Sequence, residues 1–98
     1  MIIVTGSFIA KEGQIATALE LSLAHVERSR LEVGCLLHTV HVDAENPNRL
    51  VFLEEWDNMA VLKAHFKVPD SVAFTNRITE LAQVVEPLNL FDATRLNG

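Results

Sequence analysis

The strand-like stretches of this chain carry apolar side chains at odd and even positions alike. Successive side chains of a strand point to opposite faces. In the stretch from Ile2 to Ala10, one face holds Ile2, Val4, Phe8 and Ala10, and the other holds Ile3 and Ile9. Leu50 and Phe52 likewise oppose Val51 and Leu53, and Leu88 and Leu90 oppose Phe91 and Ala93. A sheet covered by helices on one side should alternate apolar with polar residues. Here the second face calls for a cover. Leaving several hundred Å2 of it wet would forfeit on the order of 10 kcal/mol at roughly 25 cal/mol per Å2. A second sheet packed face to face, from a twofold-related copy, is the expected cover. Loops and the C-terminus folding over the face are the alternative.

The order of elements follows from periodicity. Ile2 to Ala10 is rich in residues that favour a pleated strand, and Lys11-Glu12-Gly13 breaks it. Ile15, Leu19, Ser22, Leu23 and Val26 recur at helical spacing, which predicts an amphipathic helix over 14–30 that ends before Gly34. Cys35 to Val42 reads as a strand, Asp43 to Asn48 as a turn and Arg49 to Trp56 as the return strand of a hairpin. Asp57 is placed to cap a short helix, Met59 to Phe66. Pro69-Asp70-Ser71 restarts a helix with apolar positions Phe74, Ile78, Leu81 and Val85, stopped by Pro87. Leu88 to Leu96 is the last strand. The sum is a single α+β domain over 1–98, ferredoxin-like β-α-β-β-α-β with the second α split. The third strand sits between the first and the second in an antiparallel sheet, with the helices on one face.

Composition narrows the function classes. The formal net charge of −5 argues against a phosphate-binding, nucleic-acid role and against an anionic membrane surface. Apolar residues make up 49% of the 98, and none of the apolar runs is long enough to span a bilayer. The N-terminal segment lacks a basic, signal-like start, so the expected location is the cytoplasm. Cys35 is the single cysteine, which leaves no intrachain disulfide and no cysteine cluster for a metal.

Few reactive side chains fall inside the expected elements. They are His38 and His41 on the second strand, Glu54, Glu55 and Trp56 on the third, His65 on the short helix, His25 on the long one and Arg77 on the later one. If Val42 lies opposite Leu50, then His38 opposes Glu54 and Leu36 opposes Trp56. His38, Phe52, Glu54 and Trp56 then share a wall. A slip of one residue would instead bring His41, Thr39 and Cys35 beside Glu54 and Trp56. The short helix starts directly after Trp56, so His65 can fold back over the same wall. A histidine near a walled-in carboxylate can act as a general base. The plainer alternative is a surface or packing histidine beside a core tryptophan. No metal site is expected: His38 and His41 point oppositely, and no His-x-x-x-His pair exists. The isolated glycines offer no phosphate loop, and Cys35 reads as a small packing residue.

Gly34-Cys35-Leu36, Asp43 through Pro47-Asn48, Glu54-Glu55-Trp56, Ala60 with Leu62, and His65 followed by Pro69 together resemble the antibiotic biosynthesis monooxygenase (ABM) domain family of small, quinol-monooxygenase-like proteins. The resemblance runs from the first strand to the last. It implies a homodimer whose two sheets close into an α+β barrel, with a pocket between sheet and helices in each protomer. It also implies oxygenation of a small aromatic quinol or polyketide-like substrate by O2, with no metal, flavin or haem as cofactor. On that pattern His65 or His38 accepts a phenolic proton and Glu54 positions it. Trp56, Phe52, Phe66 and Phe74 then hold the aromatic ring. The catalytic set is His65, Glu54 and Trp56, and the substrate-binding set is His38, Phe52, Phe66 and Phe74.

The chain departs from the family pattern in a few places. Many members have tyrosine where His38 stands, and histidine where Asp70 follows the proline. Ser7 stands near the asparagine of a haem-degrading branch. Two other functions fit the same pocket: an isomerase of small oxidised molecules, and a non-catalytic ligand-binding or stress-response barrel.

Overall fold

The computed structural model describes residues 1–98. Strand β1 (Ile2–Ala10) leads into helix α1 (Ile15–Ser29). The hairpin β2 (Cys35–Asp43) and β3 (Asn46–Trp56) follows. Helices α2 (Met59–Lys67) and α3 (Pro69–Leu81) come next, then β4 (Ala82–Asp92). The sheet order is β2-β3-β1-β4, with every neighbouring pair antiparallel. The third strand does lie between the first and the second, so the ferredoxin-like expectation holds.

The hairpin register is the one that pairs Val42 with Leu50 and His38 with Glu54. The slipped register, with Thr39 or His41 beside Glu54, does not occur. One correction applies at the open end. A bulge between Cys35 and Leu37 puts Cys35 rather than Leu36 opposite Trp56, and Leu36 is left exposed. The connection is also tighter than expected: Asp43 pairs with Asn46, and Ala44 and Glu45 form the turn. Pro47 therefore lies inside β3. It is tolerated there because β1 pairs with β3 only from Arg49 onward, so no ladder bond to β1 is lost.

The last strand begins earlier than Pro87 suggests. Helix α3 ends at Leu81, and Ala82 is already extended at φ −90° and ψ 139°. Val84 and Val85 are β-branched and pair with Ile9 and Phe8, so the strand outcompetes another helical turn. Pro87 survives because β4 is an edge strand and the ladder is interrupted there, between Ser7–Glu86 and Thr5–Asn89. Gly6 faces this break. A Cβ on Gly6 would lie 2.5 Å from Leu88 Cδ2, so the missing side chain lets β4 close over β1.

Helix α1 buries Ala18, Ser22, His25, Val26 and Ser29. Leu23, expected on the inner line, is 47% exposed. The inner arc is instead small and polar, and His25 is its largest polar member. Gly34, at φ +83°, makes the turn into β2. A Cβ there would stand 2.7 Å from Val61 Cγ2, so glycine also admits α2 against the strand start. Asn58, not Asp57, caps α2, accepting a bond from the Val61 N–H at 3.1 Å. Val68 precedes Pro69 and is extended, which separates α2 from α3.

The core comes in two parts. The larger contains Phe8, Val26, Leu50, Phe52, Ile78 and Leu81, and the smaller contains Ile2, Val4, Trp56 and Leu62. On the buried face of β3 the order is Leu50, Phe52, Glu54, Trp56. A carboxylate thus interrupts the core between its two parts.

The far face of the sheet is mixed, which corrects the expectation of an apolar one. Its cross-strand rows run Leu37, Glu55, Ile3, Phe91, then Thr39, Leu53, Thr5, Asn89, then His41, Val51, Ser7, Glu86. Arg49 spans it, donating to Glu86 Oε1 at 3.0 Å, Asp43 Oδ2 at 3.1 Å and the Ser7 hydroxyl at 3.1 Å. Apolar exposure concentrates along β4, at Val84, Val85, Leu88, Leu90 and Phe91. No helix is long and apolar enough to cross a membrane.

Candidate functional site

The carboxylate that interrupts the core is the centre of a polar cluster. Glu54 Oε1 accepts the Trp56 indole N–H at 2.9 Å. His38 Nε2 stands 3.2 Å from the same oxygen, and His65 Nε2 stands 4.0 Å from it. The His38 contact is poorly directed, and both nitrogens of this buried ring lack a hydrogen-bond partner. Three different elements supply these groups: β2 and β3 through the register, and α2 by folding back after Trp56.

Burial pushes the Glu54 carboxyl up, but contact with His38, the Trp56 donor and the nearby His65 outweigh it. The net effect holds Glu54 below the usual carboxylate range. Glu54 is therefore an anion at neutral pH and a poor proton acceptor.

His65 is tethered from behind. Its Nδ1 lies 3.0 Å from Glu32 Oε1 and 3.1 Å from Glu32 Oε2. An ionised carboxylate only accepts, so Nδ1 carries a proton, and in the neutral form of the ring the lone pair lies on Nε2. Glu32 follows α1 in the turn to Gly34, a position that no motif marks.

His25 completes the cluster. Its ring stacks on Phe74 at 4.1 Å, with the planes 5° apart. It lies 5.2 Å from the His38 ring and 5.5 Å from the His65 ring. Burial first, then the neighbouring His38, His65 and Arg28, pulls its pKa down to about 3. It is a neutral aromatic surface at physiological pH. The three imidazoles offer nitrogens within 4.8 Å of one another. The set leaves no spacing signature in the sequence, because its members come from α1, β2 and α2.

A cavity of about 510 Å3 opens beside the cluster, between α3 and strands β1 and β4. That size suits a small organic ligand. His25, Phe52, Glu54, His65, Phe66 and Phe74 all line it. His38 and Trp56 do not. Trp56 is fully buried and packs with Ile2, Val4 and Leu62. It can therefore act only through its neighbours, Glu54 and the His65 ring 4.6 Å away, and the expectation that it touches an aromatic ligand gives way. His38 likewise sits behind Glu54 rather than in the wall. Burial, then Glu32 and Glu54, raises the Cys35 thiol, which fits an inert packing residue.

Comparison with known proteins bears on the same fold. The model of the antibiotic biosynthesis monooxygenase family matches residues 1–77. An uncharacterised protein of the cyanobacterium Synechocystis is 31% identical over 80 residues, which is 82% of this chain. The chain spans about half, 54%, of that relative's length. A crystal structure of an antibiotic biosynthesis monooxygenase superposes with a TM-score of 0.89 at 28% identity, covering 97% of this chain and 100% of that one. A Deinococcus radiodurans structure reaches 0.93 at 23% identity, covering 100% of this chain and 97% of that one, and supports the fold alone. The strand order, the Glu54–Trp56 pair and the His65 helix thus lie in a chain that belongs to the antibiotic biosynthesis monooxygenase family.

Proposed function

We propose that the protein is a monooxygenase that oxidises a small aromatic quinol with O2. The observation that carries this reading is His65. One nitrogen is fixed by Glu32, and the other faces an aromatic-walled cavity beside an ionised carboxylate. A phenol bound against Phe52, Phe66 and Phe74 would give its proton to His65 Nε2. The imidazolium so formed lies between Glu32 and Glu54. A unit charge pair at the 4.0 Å Glu54 separation is worth about 4 kcal/mol at an effective dielectric of 20.

The phenolate is electron-rich and is itself the reductant. A ring carbon forms a bond to O2, the O–O bond breaks, and the second oxygen leaves as water. A hydroquinone then becomes a hydroxyquinone, with four electrons passed to one O2. His65 and Glu54 act at the substrate on this reading. Trp56 and Glu32 are positioning residues, and the neutral His25–Phe74 stack is part of the ring's wall.

Homodimerisation belongs to the same proposal. The apolar side chains along β4, each 41% exposed or more, are what a second copy would cover. The polar Arg49 network would supply the specific contacts.

The test is dissolved-oxygen consumption by the purified protein with a panel of substituted hydroquinones and anthrone-like phenols. Oxygen uptake matched by hydroxyquinone formation supports the reading. Turnover of a ligand under strictly anaerobic conditions instead favours an isomerase. Binding without turnover favours a non-catalytic binding protein.

A further inference from the structure

The three imidazoles around Glu54 form a nearly equilateral triangle, with ring centroids 5.2, 5.5 and 5.5 Å apart. We propose that His25, His38 and His65, closed by Glu54, bind a divalent transition-metal ion of the zinc type. Ligand atoms about 2.1 Å from one ion stand roughly 3 to 4.2 Å from one another. The separations here are close to that. His38 Nε2 and His65 Nε2 lie 3.2 and 4.0 Å from Glu54 Oε1, and the imidazole nitrogens lie within 4.8 Å of each other.

A second observation points to a missing ligand. His38 is fully buried, yet its Nδ1 has no hydrogen-bond partner and its Nε2 has only the poorly directed 3.2 Å contact with Glu54. Buried polar atoms are rarely left so, and a metal bond would use one of them. The support around the set is also of the right kind. Glu32 holds His65 Nδ1–H, which aims Nε2 inward, and Trp56 N–H fixes the Glu54 carboxylate. Arg28 Nη2, 3.4 Å from His25 Nδ1, is the one contact in the way, because that nitrogen must carry the proton once Nε2 ligates. Arg28 can turn to Asp70, whose Oδ2 is 3.6 Å from its Nε. The cavity reaches His25, Glu54 and His65, which gives the ion a path in. Imidazole and carboxylate donors without a thiolate suit Zn2+, Ni2+ or Co2+, whereas Mg2+ and Ca2+ prefer oxygen donors alone.

The ion would take the His65 lone pair. If His65 is the base of the proposed oxidation, metal and proton transfer exclude each other, and the metal form is inhibited. That consequence rests on the functional reading, whereas the site itself does not.

The test is titration of the chelator-treated full chain with Co2+, followed by its visible absorption, and with Zn2+ by calorimetry. One ion per chain is expected, with the intense visible bands of four-coordinate cobalt. H25F keeps an aromatic ring on Phe74, and H38Q keeps a polar side chain. Each should weaken binding at least about tenfold, while H41Q on the far face leaves it unchanged. If H38Q does not fold, H25F alone decides. Absence of the bands and of any Zn2+ heat overturns the site. So does equal affinity in H25F, or loss of binding in H41Q. Protein that binds cobalt but never oxidises a quinol refutes only the oxygenase reading. Protein that oxidises quinols but binds no metal refutes only the site.

Discussion

Glu32 and His65 meet at 3.0 Å across two elements that are 33 positions apart in the chain. Glu32 follows the end of α1, and His65 lies in the last turn of α2. The pair fixes which imidazole nitrogen is free. It gives the cluster the base-and-orienter arrangement that activated sites share.

Removing the orienter should slow turnover without emptying the cavity. Glu32→Gln is expected to lower kcat by about 10- to 100-fold with KM little changed. Glu32→Asp keeps an acceptor carboxylate and should recover part of the loss. Glu32 does not line the cavity. A merely structural role would appear in the melting temperature and would not show the Asp recovery. Steady-state kinetics on both variants, with thermal melts alongside, separates the two.

His25 makes the protein acid-labile. Its folded pKa of about 3 lies below the ordinary 6.5, so the unfolded chain takes up a proton that the folded chain refuses. The stability that neutral His25 permits is complete above pH 6.5. It falls as pH drops from 6.5 toward 3, by up to about 1.4 kcal/mol per pH unit. Glu54 adds to this lower down, because a depressed carboxyl loses its stabilising contribution as it is protonated. Urea midpoints at pH 7 and pH 5 should therefore diverge more in the wild type than in His25→Phe. Equal pH dependence in the two would show that His25 titrates normally.

Trp56 tests the Glu54 anchor. Trp56→Phe removes the 2.9 Å donor and keeps most of the packing around Ile2, Val4 and Leu62. A hydrogen bond to a charged group is worth about 1.5 to 3 kcal/mol, and some cavity cost is added. Chemical denaturation should show a loss of about 2 to 4 kcal/mol. Trp56 never reaches the cavity, so ligand affinity should change less than kcat. A fall in affinity alone would mean that the indole touches the ligand after all.

The fold was largely legible because its signals are local. The strand-favouring residues of Ile2 to Ala10 and the pairing of Val42 with Leu50 carry the sheet and bring His38 opposite Glu54. The misreadings occur where tertiary context overrides a local rule. Pro87 looks like a helix stop, but pairing of Val84 and Val85 with β1 ends α3 at Leu81 and leaves the proline on an edge strand. The Leu36 bulge cannot be seen in a strand pattern that assumes a period of two. In the candidate site, Glu54 and His65 stand out by type and place. Glu32 and His25 do not, because each gains its meaning from a partner on another element. For His25 a faint signal existed: it lies three residues after Ser22 and four before Ser29, on the buried arc of α1. The mixed far face was missed because Arg49, Ser7 and Glu86 come together only across three strands.

In the proposed reaction His65 takes a proton from a phenol bound in the cavity. The most direct measurement is the oxygen-uptake rate of His65→Ala against wild type, at saturating hydroquinone and neutral pH. The rate should fall at least about 100-fold, with the hydroquinone still bound and the chain still folded. A folded His65→Ala protein that consumes oxygen at the wild-type rate would contradict it.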